Sequence, residues 1–198
     1  SHVLYSIVLS NTARHFLSQN SPERALPLLE RADRILQNLP GPPQALILTV
    51  RSNLCDVHFR LGNTATAQTI CQETLASAAP FPAQRAALLL THGQLAHRQG
   101  QKDRARENFQ QALLLLEHDP LEMIKARFLL GKFYSREEKD RAAKELEQAL
   151  ALMLQHRFRI GRERAWFTHG LAEVFDLYVE VLLQLNRIDQ AFLVANHK

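Results

Sequence analysis

The sequence predicts an all-α chain folded as an α-solenoid of about five helix–turn–helix units. Three observations predict it. Ala, Leu, Gln, Glu and Arg dominate, runs of β-branched residues are almost absent, and Gly (7) and Pro (8) are few, a composition of strong helix formers. One skeleton of small and large residues recurs: Gly93, Ala96, Gly100, Ala105, Phe109 and Ala112 are spaced like Cys55, His58, Gly62, Ala67 and Cys71. Gly131, Tyr134, Ala142, Leu146 and Ala149 repeat it one residue shorter, and Ala13, Phe16, Asn20, Ala25, Leu29 and Ala32, then Asn186, Ala191 and Ala195, repeat it more loosely. Finally, helix breakers fall at regular intervals between the copies. A unit of this kind cannot bury its apolar face alone, so copies stack into one extended core rather than closing around a single cleft. That favours a binding scaffold over an enzyme.

The elements follow in order. Helices over 3–19 and 22–38 are joined at Asn20-Ser21-Pro22-Glu23, where Ser21 suits the N-cap and Pro22 the first helical position. Leu39-Pro40-Gly41-Pro42-Pro43 stops the second helix, because proline lacks a donor and restricts its predecessor. The second pair covers 43–60 and 64–78, turning at Gly62 in a left-handed cap with Asn63 or Thr64 capping the next helix. Pro80-Phe81-Pro82 ends that unit. The third pair covers 83–99 and 102–117 and turns at Gly100. Asp119-Pro120-Leu121-Glu122 then supplies a cap, a first-turn proline and a capping-box glutamate, opening the fourth pair over 120–136 and 139–157. The fifth unit is longer: Ala142 to Ala191 exceeds Ala67 to Ala105, and the excess falls between Ala149 and Phe175. Gly161 is the expected break before a long helix over 162–185. Its polar residues Glu173, Asp176, Glu180 and Gln184 form one narrow stripe, so it needs neighbours on most sides. The units therefore run about 3–40, 43–80, 83–118, 120–158 and 162–198, one array over 3–198. The last ends without a polar capping helix, which is expected of a fragment of a longer chain and implies self-association through Leu171–Leu185.

Composition limits the function classes. Of 24 cations, distributed among 20 acids for a net charge of +4, most alternate with Glu or Gln, as on solvated helix faces. Nucleic-acid binding is disfavoured, because such proteins concentrate cations on one face. Cys55 and Cys71 fill the small-residue positions of the second unit, form no CxxC and have no His at ligand spacing. They are expected to be buried free thiols in a reducing compartment. The apolar opening Val3–Leu9 has no basic leader, and no apolar run reaches the roughly 20 residues a bilayer requires, so the expected location is the cytoplasm. There is no glycine-rich phosphate loop, GxSxG or HExxH motif. His92 and His97 point to different sides of one helix, and His58 sits at an interior position. No catalytic residue, metal ligand or cofactor is expected. Arg157, Arg159, Arg162 and Arg164 could clamp a phosphate, an acidic peptide or RNA. A solvated junction paired with residues such as Glu163 is the favoured reading, with Phe158, Trp166 and Phe167 packing it.

The repeats resemble the tetratricopeptide (TPR) family. Gly93, Gly100, Ala105, Phe109 and Ala112 match its pattern closely, and Gly131, Tyr134, Ala142 and Ala149 match it well. The family's aromatic before the glycine is Leu89 or Arg127 here, its later proline is displaced to Pro120, and the units exceed the family's period of about 34 residues, as in arrays of large bacterial multidomain proteins. The resemblance implies a right-handed superhelix whose first helices line a concave groove for a peptide or partner domain. By matching units, that groove presents Ser10 and Arg14; Ser52, Asp56 and Phe59; Leu90, Gln94 and His97; Lys125, Phe128, Lys132 and Ser135; then Glu173, Asp176 and Glu180. The family's basic, Asn-rich clamp for a C-terminal carboxylate is not matched. The mixed charge implies a cationic patch in unit four beside an anionic one in unit five, either paired together or orienting a ligand of both signs. Arg162–Phe167, Phe175–Leu185 and Asp189–Phe192 also resemble the last repeat before a CHAT domain, a caspase- and separase-like cysteine peptidase domain. That resemblance implies a regulatory segment of such a peptidase. The sensor array of a bacterial transcription regulator is a further alternative.

Overall fold

The computed structural model describes residues 2–156 and 164–196, with side chains up to 156 and from 172 onward. Among the described residues are ten α-helices and no strand: α1 His2–Ser18, α2 Pro22–Gln37, α3 Gln44–Arg60, α4 Thr64–Ser77, α5 Pro82–Arg98, α6 Lys102–Leu115, α7 Pro120–Tyr134, α8 Lys139–His156, α9 Arg164–Gln184 and α10 Ile188–Ala195. They pack as consecutive antiparallel pairs. The chain divides into two compact units, Ser1–Leu115 and Leu116–Lys198.

In the first unit each hairpin turns through one left-handed residue, at Asn20 (φ 53°), Gly62 (φ 80°) and Gly100 (φ 75°). The same closing bond recurs: Ser21 N–H donates to Phe16 O, Asn63 N–H to His58 O and Gln101 N–H to Ala96 O, each at 2.9 Å. This is the Schellman closure, with Asn the one side chain besides Gly that tolerates the site readily. The backbone thus supplies the closure, and the expected side-chain caps are absent at two places. Ser21 makes no cap bond to α2, its hydroxyl turning back to Gln19 O. Asn63 makes none to α4, its amide lying 3.3 Å from His58 Nδ1.

Each hairpin crosses at a fixed pair of positions. A Cβ placed on Gly93 would lie 2.8 Å from Phe109 Cε1, so α5 and α6 cross with ring against backbone. Cys55 and Cys71 occupy the matching positions in α3 and α4, and there the structure corrects the free-thiol expectation. They form a disulfide with Cα atoms 5.6 Å apart, both residues fully buried. The reason is local: two positions that touch in a neighbouring repeat bring two thiols within bonding reach.

Successive hairpins are joined by arginines. Arg60 Nη1 donates to Leu17 O at 3.1 Å, and Arg98 Nη1 donates to Phe59 O at 3.0 Å. The two arginines occupy matching positions, and each adds a second donor to a carbonyl at the C-terminal end of the preceding first helix, which already accepts from Asn20 or Gly62 N–H in its own turn and where a cation is favoured.

The second unit holds α7–α10. Asp119 caps α7 as expected, its Oδ1 accepting from Glu122 N–H at 3.2 Å, while the Glu122 carboxylate pairs with Lys125. α7 ends at Tyr134, two residues before the expected boundary, because the glycine-free turn closes early: Glu138 N–H donates to Tyr134 O at 2.9 Å. The crossing is again tight, a Cβ on Gly131 lying 2.6 Å from Leu146 Cγ. α9, with 21 residues, is the longest described helix and packs against both α8 and α10. Its turn to α10 uses a left-handed Asn186 (φ 58°), and Arg187 reaches back to Asp140 on α8 at 2.6 Å. The expected break at Gly161 lies outside the described residues. Of the apolar positions expected to drive self-association, Val174, Phe175, Tyr178, Val181 and Leu182 are buried and Leu183 is exposed, beside the exposed Ile188, Phe192 and Leu193 of α10.

Candidate functional site

In the first unit α1 packs on α3 and α3 on α5, whereas α2 and α4, and α4 and α6, make no comparable contact among the described residues. The first helices therefore pack side by side along one face of the first unit, its inner face. Polar side chains tie them together there, Asn53 Nδ2 donating to Ser10 Oγ at 3.4 Å and Gln84 Nε2 to Thr49 Oγ1 at 3.2 Å. This separates the expected groove residues into two kinds. Ser10, Ser52, Phe59 and Leu90 are buried, and the Phe59 ring lies beneath the Arg98 guanidinium, 3.8 Å from its centroid. Arg14 and His97 are exposed, and Asp56 and Gln94 half-buried. Arg14 bonds Asn11 at 3.3 Å, Asp56 takes the Arg60 Nε at 3.0 Å, and the Gln94 amide points at Leu90 O. The inner face is thus polar and of mixed charge.

In the second unit Lys132 stands 5.9 Å from the Phe128 ring centroid and Lys125 is engaged by Glu122. Glu173, Asp176 and Glu180 are exposed along α9, with Glu180 accepting from Gln184 at 3.0 Å. α8 touches both α7 and α9, but among the described residues α7 and α9 make no contact comparable to that joining α1 to α3. Arg157, Arg159 and Arg162 lie outside the described residues, and Arg164 opens α9 with its side chain outside them.

An open depression of about 650 Å³ escaped the sequence reading. It lies between the start of α1 and the end of α2, lined by His2, Arg31, Arg34, Ile35, Asn38 and Leu39. The i,i+3 spacing of the arginines marked a shared face, but not its closeness to the first turn of α1. Among the described residues no group of three His, Cys, Asp or Glu could hold a metal ion, and no helix is long and apolar enough to cross a membrane.

Two histidines are perturbed. Burial lowers the His92 pKa below 6.5, and the Arg104 guanidinium lowers it further, its Nη2 lying 3.5 Å from His92 Nε2. Burial also lowers His58, opposed by Glu30. A depressed folded value means the folded chain holds these rings neutral while the unfolded chain protonates them. Their contribution is present above pH 6.5 and is lost as pH falls through the folded value. His92→Leu, which installs the residue found at matching positions 54 and 130, is expected to shrink the fall in melting temperature between pH 7.5 and 5.5. A melting temperature falling equally in variant and parent would refute the assignment.

Residues 46–117 match the tetratricopeptide repeat family model. No curated protein matches the sequence. The fold is shared with several solved structures. BtubC (BKLC) from P. vanneervenii aligns with a TM-score of 0.70 at 18% identity, over 96% of this chain and 76% of that one. The nearly identical TPR-like repeats assigned to a Podosopora anserina kinesin light chain align with a TM-score of 0.62 at 16% identity, over 99% and 93%. Aspartyl phosphate phosphatase F from Bacillus subtilis aligns with a TM-score of 0.63 at 14% identity, over the whole of this chain and 59% of that one. These likenesses establish a TPR-like all-α fold. None of these matches carries the CHAT association.

Proposed function

We propose that the chain is a protein-interaction module that holds a peptide or a partner's helix on the inner face built by its first helices, with no catalysis of its own. The observation that supports this most directly is the packing of α1, α3 and α5 on one another. Arg14 lies on α1, Asp56 on α3 and Gln94 and His97 on α5, Arg14 and His97 exposed and Asp56 and Gln94 half-buried, while Phe59 and Leu90 of the same helices are buried. Such a rigid polar face suits an extended or helical segment recognised by side-chain hydrogen bonds and charge. The second unit adds Lys125, Phe128 and Lys132 on α7 and an exposed acidic stripe, Glu173, Asp176 and Glu180, on α9, two sets of charge that suit a ligand carrying both signs. Self-association belongs to the same proposal, through Leu183, Ile188, Phe192 and Leu193. A compartment that preserves disulfides fits Cys55–Cys71, which weighs against the expected reducing cytoplasm. The regulatory-segment and sensor-array alternatives gain no support.

A displayed random-peptide library selected against the whole chain tests the main reading. Enriched peptides are expected to lose at least tenfold in affinity for an Arg14→Glu, His97→Glu variant of unchanged melting temperature. No enrichment, or enriched peptides indifferent to both changes, would overturn it.

A further inference from the structure

The position pair that carries the disulfide is the same pair that sets the crossing in other hairpins. In α5 and α6 it is Gly93 against Phe109, and in α7 and α8 it is Gly131 against Leu146. There a large side chain fills the space over a glycine. In α3 and α4 the pair is Cys55 and Cys71, so a covalent bond stands in the second repeat where a ring or branched side chain stands in the third and fourth. Neither half of that pair is a large apolar residue. Once the bond is broken, no ring or leucine holds the crossing, and only two small thiols remain.

The helix so held has an unusual number of neighbours. α3 packs on α1, α2, α4 and α5. It donates Arg60 to the end of α1 and receives Arg98 at its own Phe59 carbonyl. Loosening α3 against α4 therefore reaches both arginine clasps of the first unit. The bond closes a loop of sequence separation 16, and opening such a loop restores chain entropy to the unfolded hairpin.

We infer that Cys55–Cys71 is a redox latch that sets the local stability of the α3–α4 hairpin and, through α3, the order of the first unit's inner face. The reductant is a dithiol. Its thiolate attacks one sulfur of the pair, the protein S–S bond breaks, and a mixed disulfide forms with release of the other cysteine as thiolate. The second thiol of the reductant then displaces the remaining cysteine and leaves as a cyclic disulfide. Two electrons pass to the protein, and two protons complete its thiols. Because both cysteines are fully buried, the first attack requires opening of the hairpin, so reduction runs at the pace of that opening.

The test uses the whole chain, air-oxidised or treated with dithiothreitol, with thiols counted by alkylation and mass spectrometry. Reduction is expected to lower the melting temperature by about 5–10 °C. It should speed amide exchange in α3 and α4 at least tenfold while leaving α7 and α8 unchanged. A second variant, Cys55→Gly with Cys71→Phe, rebuilds the pair used in the third repeat and is expected to melt identically with and without dithiothreitol. Two free thiols in the oxidised, denatured chain would overturn the inference. So would a fully reduced chain whose melting temperature and α3–α4 exchange match the oxidised one.

Discussion

Replacing Gly93 with leucine is expected to lower the melting temperature by roughly 6–12 °C, reflecting a net loss of about 2–4 kcal/mol. The first carbon of the new side chain would lie 2.8 Å from Phe109 Cε1 and 2.9 Å from Cδ1, closer than carbon atoms pack. The ring has nowhere to retreat, since Phe109 is 1% exposed. Helix propensity works the other way, leucine gaining about 0.8 kcal/mol over glycine, but that is too small to reverse the sign. Phe109→Ala made in the same chain should return most of the loss, because the leucine then occupies the space left by the ring. A melting temperature for Gly93→Leu within error of the parent would show that α5 and α6 do not cross here.

Arg127→Leu should be the costliest loss of charge, about 2 kcal/mol, less than for a fully buried pair because both partners keep some water. Arg127 Nη1 lies 2.6 Å from Glu145 Oε2, and the two side chains are 22% and 19% exposed. The same guanidinium nitrogen reaches Gln148 Oε1. Removing it leaves a half-buried carboxylate without its cation. The third repeat carries Leu89 at the position of Arg127, and the second carries Ile70 at that of Glu145. Arg127→Leu with Glu145→Ile is therefore expected to recover most of the stability in urea titration, since an apolar pair often replaces an ion pair at little cost. A double variant no more stable than Arg127→Leu alone would show that the site depends on its charges.

Most helices were legible because they were marked twice, by the spacing of their small residues and by a breaker at the end; the end of α7, whose turn has no glycine or proline, was placed two residues late. The left-handed turns at Asn20 and Asn186 were legible too, since both fall where Gly62 and Gly100 fall in the pattern. The side-chain caps at Ser21 and Asn63 were misjudged, because a backbone closure already satisfies those turns. Cys55–Cys71 was within reach of the alignment, which sets both cysteines at crossing positions. What was missing was the knowledge that those two positions touch. The clasps from Arg60 and Arg98 left no such trace, because an arginine near a helix end reads as ordinary surface until its distant acceptor carbonyl is located. For the inner face, spacing identified which residues share a side but not which are sealed. Phe59 and Leu90 fit the groove pattern and are nonetheless covered.

The clasps have a bearing on synthesis. Leu17 is closed by Arg60 and Phe59 by Arg98, so the residue that finishes each first helix is translated a whole repeat after the helix itself. On the ribosome, the Leu17 and Phe59 carbonyls can first accept only from the local Asn20 and Gly62 N–H groups, and each gains its arginine when the next first helix emerges. The first unit should consequently gain its final order in discrete steps as the chain lengthens, each nascent repeat completing the one made before it.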